Sequence, residues 1–192
     1  MLSEKAKQLI QKSRIVSLES WQQQYDSGTI AIFQQADNEN RYLTDEDIQH
    51  IESLHPELAD SLSQARTLRD GVTKIINDAR GEVLTAFPGI TEPGGGLYPP
   101  MRAEACWRDF WHFLRCITYG IAGQSVNYTS TEGLNYMEQL YQELKVPLDA
   151  MVLGLKNLKK HSLDQFPSEQ ALQLSPYFDS LISQMEQFEE AK

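Results

Sequence analysis

The segment from Arg102 to Cys116, read as Arg-Ala-Glu-Ala-Cys-Trp-Arg-Asp-Phe-Trp-His-Phe-Leu-Arg-Cys, gathers the most reactive side chains of this 192-residue chain. Steps of four, three and four residues separate Arg102, Cys106, Asp109 and Phe113. On a helix, that spacing sets a cation, a thiol, a carboxylate and an aromatic ring along one face. A thiol beside a positive charge is easier to deprotonate and to alkylate. A carboxylate one turn further on can accept bonds from cationic or N–H-bearing ligand atoms. Arg108 lies about 200° round from Cys106, so only its long stem reaches the same ligand. The plain alternative is surface pairing, Arg102 with Asp109 or Glu104 with Arg108, around an inert core cysteine.

Other chemistry finds less support. His50, His55, His112 and His161 show no metal-ligand spacing with the cysteines or with each other. His112 lies six residues beyond Cys106 and faces elsewhere, so no cysteine–base pair is expected. Cys106 and Cys116 sit ten residues apart on one helix, too far to bond to each other. Gly94-Gly95-Gly96 lacks the strand and the lysine of a phosphate cradle. No catalytic arrangement emerges, and the expectation is that the protein is not an enzyme.

The elements that must carry these residues read as helices. Apolar residues at helical spacing run from Leu68 through Val72, Ile75, Ile76 and Ala79 to Val83, and Phe87-Pro88-Gly89 stops the run. Pro93-Gly94-Gly95-Gly96-Leu97-Tyr98-Pro99-Pro100 is a breaker, and Pro100 suits a helix start. The next run extends from Ala103 through Trp107, Phe110, Leu114 and Ile117 to Gly123. Further helices are expected around Leu134–Leu144, Leu148–Leu158 and Leu174–Met185. Thr44-Asp45-Glu46-Asp47 ahead of Ile48 reads as an N-cap and first turn. The segment around Leu9, Ile10, Leu18 and Trp21 is expected to be helical as well. No strand pattern and no internal repeat is visible.

Composition bounds the rest. Apolar residues make up 41% and charged residues 23%, as in a folded globular chain. Seventeen basic and 27 acidic side chains give a net charge of −10. Such a surface repels phosphate backbones and anionic membranes, so nucleic acid is not an expected partner. No run of about 18 apolar residues is present for membrane insertion, and the N-terminus has no apolar signal core. Two cysteines are too few for a disulfide framework or a structural zinc site.

The motif residues resemble the signature of the phycobiliproteins. In that family a PGGNxY loop precedes a helix carrying RxxxC-x-R-D, then LR and TY. Here Pro93-Gly94-Gly95-Gly96-Leu97-Tyr98 is followed by Arg102, Cys106-Trp107-Arg108-Asp109, Leu114-Arg115 and Thr118-Tyr119. Upstream, Ala36-Asp37-Asn38-Glu39-Asn40-Arg41-Tyr42-Leu43-Thr44 is similar to the family's ADxExRYLS stretch, and Leu144-Lys145-Val146-Pro147 to its LGVP turn. Gly96 stands where the family usually has asparagine, and Met101 where it has the first of two arginines. Trp107, Trp111 and His112 also depart from the pattern.

The resemblance implies an all-α, globin-like phycobiliprotein fold with an N-terminal helical hairpin and extra helical segments at both ends. The parts implied are an N-terminal helical extension over 1–29, a phycobilisome-type domain over 30–163 and a C-terminal helical extension over 164–192. It implies phycocyanobilin or a related linear tetrapyrrole, covalently held at Cys106. Asp109 would bind the pyrrole N–H groups, Arg102 and Arg108 the propionates, and Tyr98 and Tyr119 would wall the pocket. Asp37 and Arg115 match positions of the family's dimer contact. The implied partners are a second copy or a phycobiliprotein-type subunit, together with bilin lyases. The implied location is cytoplasmic, at the cytoplasmic face of the thylakoid. The function so implied is bilin binding in light harvesting or its assembly. The alternative is an auxiliary globin of bilin biosynthesis that handles, senses or delivers bilins, and a third class is a haem globin using His112.

Overall fold

The computed structural model describes residues 2–189. Among them are eight α-helices: α1 (Glu4–Lys12), α2 (Ser27–Asn38), α3 (Asp45–Leu54), α4 (Ala59–Ala86), α5 (Pro100–Ala122), α6 (Thr131–Leu144), α7 (Leu148–Leu163) and α8 (Ser168–Met185). The all-α expectation holds. The one β feature among the described residues is an isolated antiparallel bridge between Val16 and Thr129.

Local signals account for several helix ends. Thr44 caps α3 by accepting from the Asp47 N–H, and Asp47 accepts from the Thr44 N–H in return, so the capping box is complete. Pro100 occupies the first turn of α5, where a missing N–H costs nothing. Helix α4 ends at Ala86, as the Phe87-Pro88-Gly89 signal requires, but it starts at Ala59, earlier than the expected Leu68. Its first turns are polar, and Ser61 is nevertheless buried because its hydroxyl can donate to either the Leu58 carbonyl at 2.9 Å or the Ala122 carbonyl at 3.1 Å.

Helix α5 is the axis of the fold. Every residue from Phe113 to Ala122 is buried, the signature of a helix enclosed on all sides. Helices α4, α7 and α8 pack around it. Gly154 of α7 permits the closest crossing, since a Cβ there would lie 2.0 Å from Phe110 Cζ. Of the segment 164–192, expected as a C-terminal helical extension, residues 164–189 are described and carry α8, and residues 190–192 lie outside the described residues. Phe178, Leu181 and Met185 of α8 are 0% exposed and belong to the same core as α5.

The N-terminal 29 residues are only partly helical. Helix α1 lies on α6, with Ser3 donating to Glu143 at 2.9 Å. The chain then runs extended beside residues 128–130, where the Ser17 N–H donates to the Tyr128 carbonyl and the Ser130 N–H to the Ile15 carbonyl. Gly133 admits this crossing, because a Cβ would sit 1.7 Å from the Arg14 carbonyl oxygen. A 3₁₀ turn over Glu19–Gln23 then drops the Trp21 ring, 0% exposed, against Gly123. Trp21 in turn packs edge-on against Phe33 of α2.

Beneath α2, Asp37 and Arg115 are each 4% exposed and paired at 2.9 Å. Arg14 reaches the second Asp37 oxygen at 2.5 Å. The resemblance assigns this pair to a contact between subunits; here it closes within one chain, because the Trp21–Phe33 contact lays α2 back on the end of α5. Removing one partner of a buried pair leaves an uncompensated charge. We therefore expect Asp37→Ala to cost about 3–5 kcal/mol in urea unfolding, and Asp37→Leu/Arg115→Met to recover most of it. Equal losses in both variants would show that packing, not charge, dominates there.

Candidate functional site

Helix α5 carries the candidate residues on its first half, between the glycine loop and α6. Cys106 is 5% exposed. Burial, with the Asp109 carboxylate one turn away, pushes its thiol up to about 12, and Arg102 only partly offsets this. The expectation of an eased deprotonation is thus reversed: desolvation outweighs the guanidinium.

Arg102 points elsewhere. Its Nη2 donates to the carbonyls of Leu144 at 2.8 Å and Lys145 at 2.9 Å, and its Nε to that of Gly96 at 3.2 Å. It therefore ties the glycine loop and the start of α5 to the end of α6. Lys145 ends α6 in the left-handed conformation with φ 52°, which presents those carbonyls. Neither surface pair considered from the sequence, Arg102–Asp109 or Glu104–Arg108, forms among the described residues. Arg108 is exposed, with its guanidinium in solvent.

Asp109 is part-buried, and Tyr141 of α6 donates to its Oδ2 at 3.1 Å. Burial raises the Asp109 carboxyl to about 6, while the Tyr141 bond holds it lower than burial alone would. Tyr141 is the functional neighbour that sequence reasoning missed. Its place in the helical run marks it as apolar core, and no spacing signal links it to a residue 32 positions earlier. Its ring also packs edge-on against Phe188, with ring centres 6.2 Å apart.

The other candidates separate. Tyr98 is 44% exposed in the loop before α5. Tyr119 lies thirteen residues beyond Cys106, roughly 20 Å along the helix at about 1.5 Å per residue. There its hydroxyl accepts from Arg115 at 2.8 Å and donates to the Arg41 carbonyl. Tyr119 thus belongs to the Asp37–Arg115 network and not to the surroundings of Cys106. Phe113, the fourth member of the stripe, is 2% exposed and part of the core. Cys116 is fully enclosed, and burial pushes its thiol up to about 12.

Trp107, Trp111 and His112, which depart from the family pattern, make separate aromatic contacts: Trp107 with Phe110, and Trp111 with Tyr42 and His112. The Arg80 guanidinium lies 5.3 Å from the centre of the Trp107 ring. Trp111 meets Tyr42 edge-on, and the Tyr42 hydroxyl donates to the Trp111 carbonyl at 3.1 Å. Burial, with Arg115 and Arg108 nearby, pushes His112 down to about 4, so its imidazole is neutral near pH 7. No group of three His, Cys, Asp or Glu side chains among the described residues is placed to hold a metal ion. No helix among them is long and apolar enough to cross a membrane.

Comparison with known proteins gives one consistent answer. The model of a family described as phycobilisome protein matches residues 31–185. The allophycocyanin subunit alpha-B of Nostoc sp. is 32% identical over 151 residues, covering 79% of this chain and 94% of that protein. The corresponding subunit of Synechocystis sp. is 31% identical over the same shares. The allophycocyanin alpha-B chain of Porphyra purpurea is 31% identical, over 78% of this chain and 93% of its own length.

The Asp109 carboxyl gives a measurable sign. An ordinary aspartate value is 3.8, and the folded value is about 6. Between them the folded chain keeps a proton that the unfolded chain has lost. The stability that Asp109 itself contributes is therefore fully present below about pH 4 and is lost as pH rises through about 6, about 3 kcal/mol in all. Asp109→Asn should lack that loss, so the two unfolding curves, followed from pH 4 to pH 7, should diverge. Parallel curves would place the carboxylate in water.

Proposed function

This chain belongs to the phycobilisome protein family, and from that premise we propose that it is a bilin-binding, non-catalytic protein of light harvesting. The observation that carries the reading is Cys106 and Asp109 on one face of α5 beside Tyr141, with Arg108 exposed on the same turn. A linear tetrapyrrole presents N–H groups, propionates and an alkylatable end. This donor set answers each in kind: a part-buried carboxylate, a guanidinium in solvent and a thiol. When bound, the conjugated group would supply visible absorption.

The chain's own residues would divide the work of holding it. Asp109, fixed by Tyr141, would accept from N–H groups. A charged ligand would favour its ionised form and lower its proton affinity. Arg108 would take a propionate without first giving up a partner. Arg102 would have to release at least one backbone carbonyl to do the same, so its share is smaller than the resemblance implies. Cys106 would offer the thiol, Cys116 being enclosed by core on every side. The donors fit such a group, while the packing around Cys106, 5% exposed, is closed. Loading therefore has to open the contacts over Cys106. Tyr98 is exposed on the glycine-bearing loop that borders this end of α5.

Assembly with a phycobiliprotein-type subunit belongs to the same reading. The reading also keeps residues 1–29 as an addition to the family body, since the family match begins at residue 31. Because Asp37, Arg115 and Arg14 are paired within the chain, a partner must compete with the chain's own α2 for Arg115.

Two measurements test this. Co-expression with a bilin pathway and lyases should yield a covalent adduct that fluoresces with zinc on a denaturing gel. Cys106→Ala should abolish it and Cys116→Ala should keep it; an unmodified intact mass in the unaltered chain rejects the covalent reading. In sedimentation, the full chain should run as a monomer alone. A chain lacking residues 1–25, and with them Arg14 and Trp21, should self-associate. A full chain that is already dimeric rejects the closed arrangement.

A further inference from the structure

A cavity of about 580 Å³ opens where the first turns of α4, the end of α5 and the start of α8 converge. That volume is typical of a small-molecule site. It lies at the far end of α5 from Cys106, so the proposed chromophore does not explain it. Five glutamine side chains line it, among them Gln64, Gln124 and Gln173. No lysine, arginine or histidine does, and Asp60 is the one carboxylate.

This lining excludes most ligand classes. An anion would meet Asp60 and a protein of net charge −10 with no cation to receive it. A cation would find one exposed carboxylate and no cage. A wholly apolar molecule would strip water from the amides and return no hydrogen bonds. What remains is a neutral ligand dense in hydroxyl groups. A glutamine amide offers a donor and an acceptor side by side, which matches the two roles of neighbouring hydroxyls on a sugar ring.

The apolar part of the wall agrees. Phe166 and Tyr177, both half-buried, are the aromatic residues of the lining. Aromatic faces carry negative charge density and receive the polarised C–H face of a sugar ring. The wall is also held in place. The Tyr177 carbonyl accepts the buried Tyr128 hydroxyl at 2.8 Å, which anchors that turn of α8. Gln165 donates to the His161 carbonyl at 3.2 Å, which fixes the connection between α7 and α8. A wall anchored before the ligand arrives loses less freedom on binding.

We propose that this cavity binds a neutral saccharide of about disaccharide size, through its glutamine amides and its Phe166 and Tyr177 rings. The test is saturation-transfer NMR on the full chain, with maltose and sucrose as neutral probes and glucose 6-phosphate as the charged one. Transfer to a neutral sugar is expected, weakened about tenfold or more in Gln64→Leu/Gln173→Leu, which removes two amide partners. Should that variant fail to fold by circular dichroism, Gln170→Ala, on the exposed rim, gives the same comparison with a smaller loss. The proposal is overturned if neither neutral sugar receives transfer. Transfer undiminished in the folded variant overturns it as well, as does stronger binding of the sugar phosphate.

Discussion

The Asp37 carboxylate is 4% exposed, and a charge held so far from water is tolerable only because both its oxygens meet guanidinium groups. One comes from Arg115 in the middle of the axial helix, the other from Arg14 in the N-terminal strand-like run. Three stretches of chain distant in sequence are thereby fixed to one another. The Tyr119 hydroxyl extends the chain of bonds to the Arg41 carbonyl, just before α3 begins. With α2 held there, Phe33 closes on Trp21 and Tyr119, and the core is sealed at that end.

The same helix that accepts this network at one end carries the candidate site at the other. Its second half is enclosed and rigid by packing. Its first half borders a glycine-bearing loop, where Gly89 and Gly94 adopt positive φ angles of 82° and 95°. A site at the junction of an immobile helix and a permissive loop keeps its donors in register while its rim can change shape. The burial that raises the Cys106 thiol is a property of the closed rim. Any opening that lets water reach Sγ also restores its acidity.

Much of this was legible in the sequence, and the limits are physical. The capping box of α3 and the start of α5 depend on neighbours within four residues, so local chemistry decided them. Arg102, Cys106 and Asp109 do lie on one helix, α5, yet Arg102 and Asp109 then found partners that spacing cannot reveal. Arg102 chose backbone carbonyls over a carboxylate, and Asp109 chose Tyr141. The start of α4 was hidden because Asp60, Ser61, Ser63 and Gln64 break the apolar rhythm. The Pro-containing connector over 162–168 sets α8 apart in the sequence, and spacing alone does not report that Phe178 and Met185 pack into the core. The N-terminal crossing was invisible, since it depends on Gly133 lacking a side chain more than a hundred residues later.

The grip of Arg102 on Leu144 and Lys145 has a thermodynamic corollary. The last carbonyls of a helix lack partners of their own and carry its negative end, so a guanidinium placed there acts as that helix's cap. Whatever anion recruits Arg102 does so at the expense of α6. Occupancy on one side and fraying on the other are then two readings of one equilibrium, coupled with equal strength in both directions. The final turn of α6 also carries Tyr141, and with it the bond to Asp109. Slower or faster amide exchange at the end of α6 therefore registers events at α5, which makes the turn before Pro147 a built-in reporter of what the site holds.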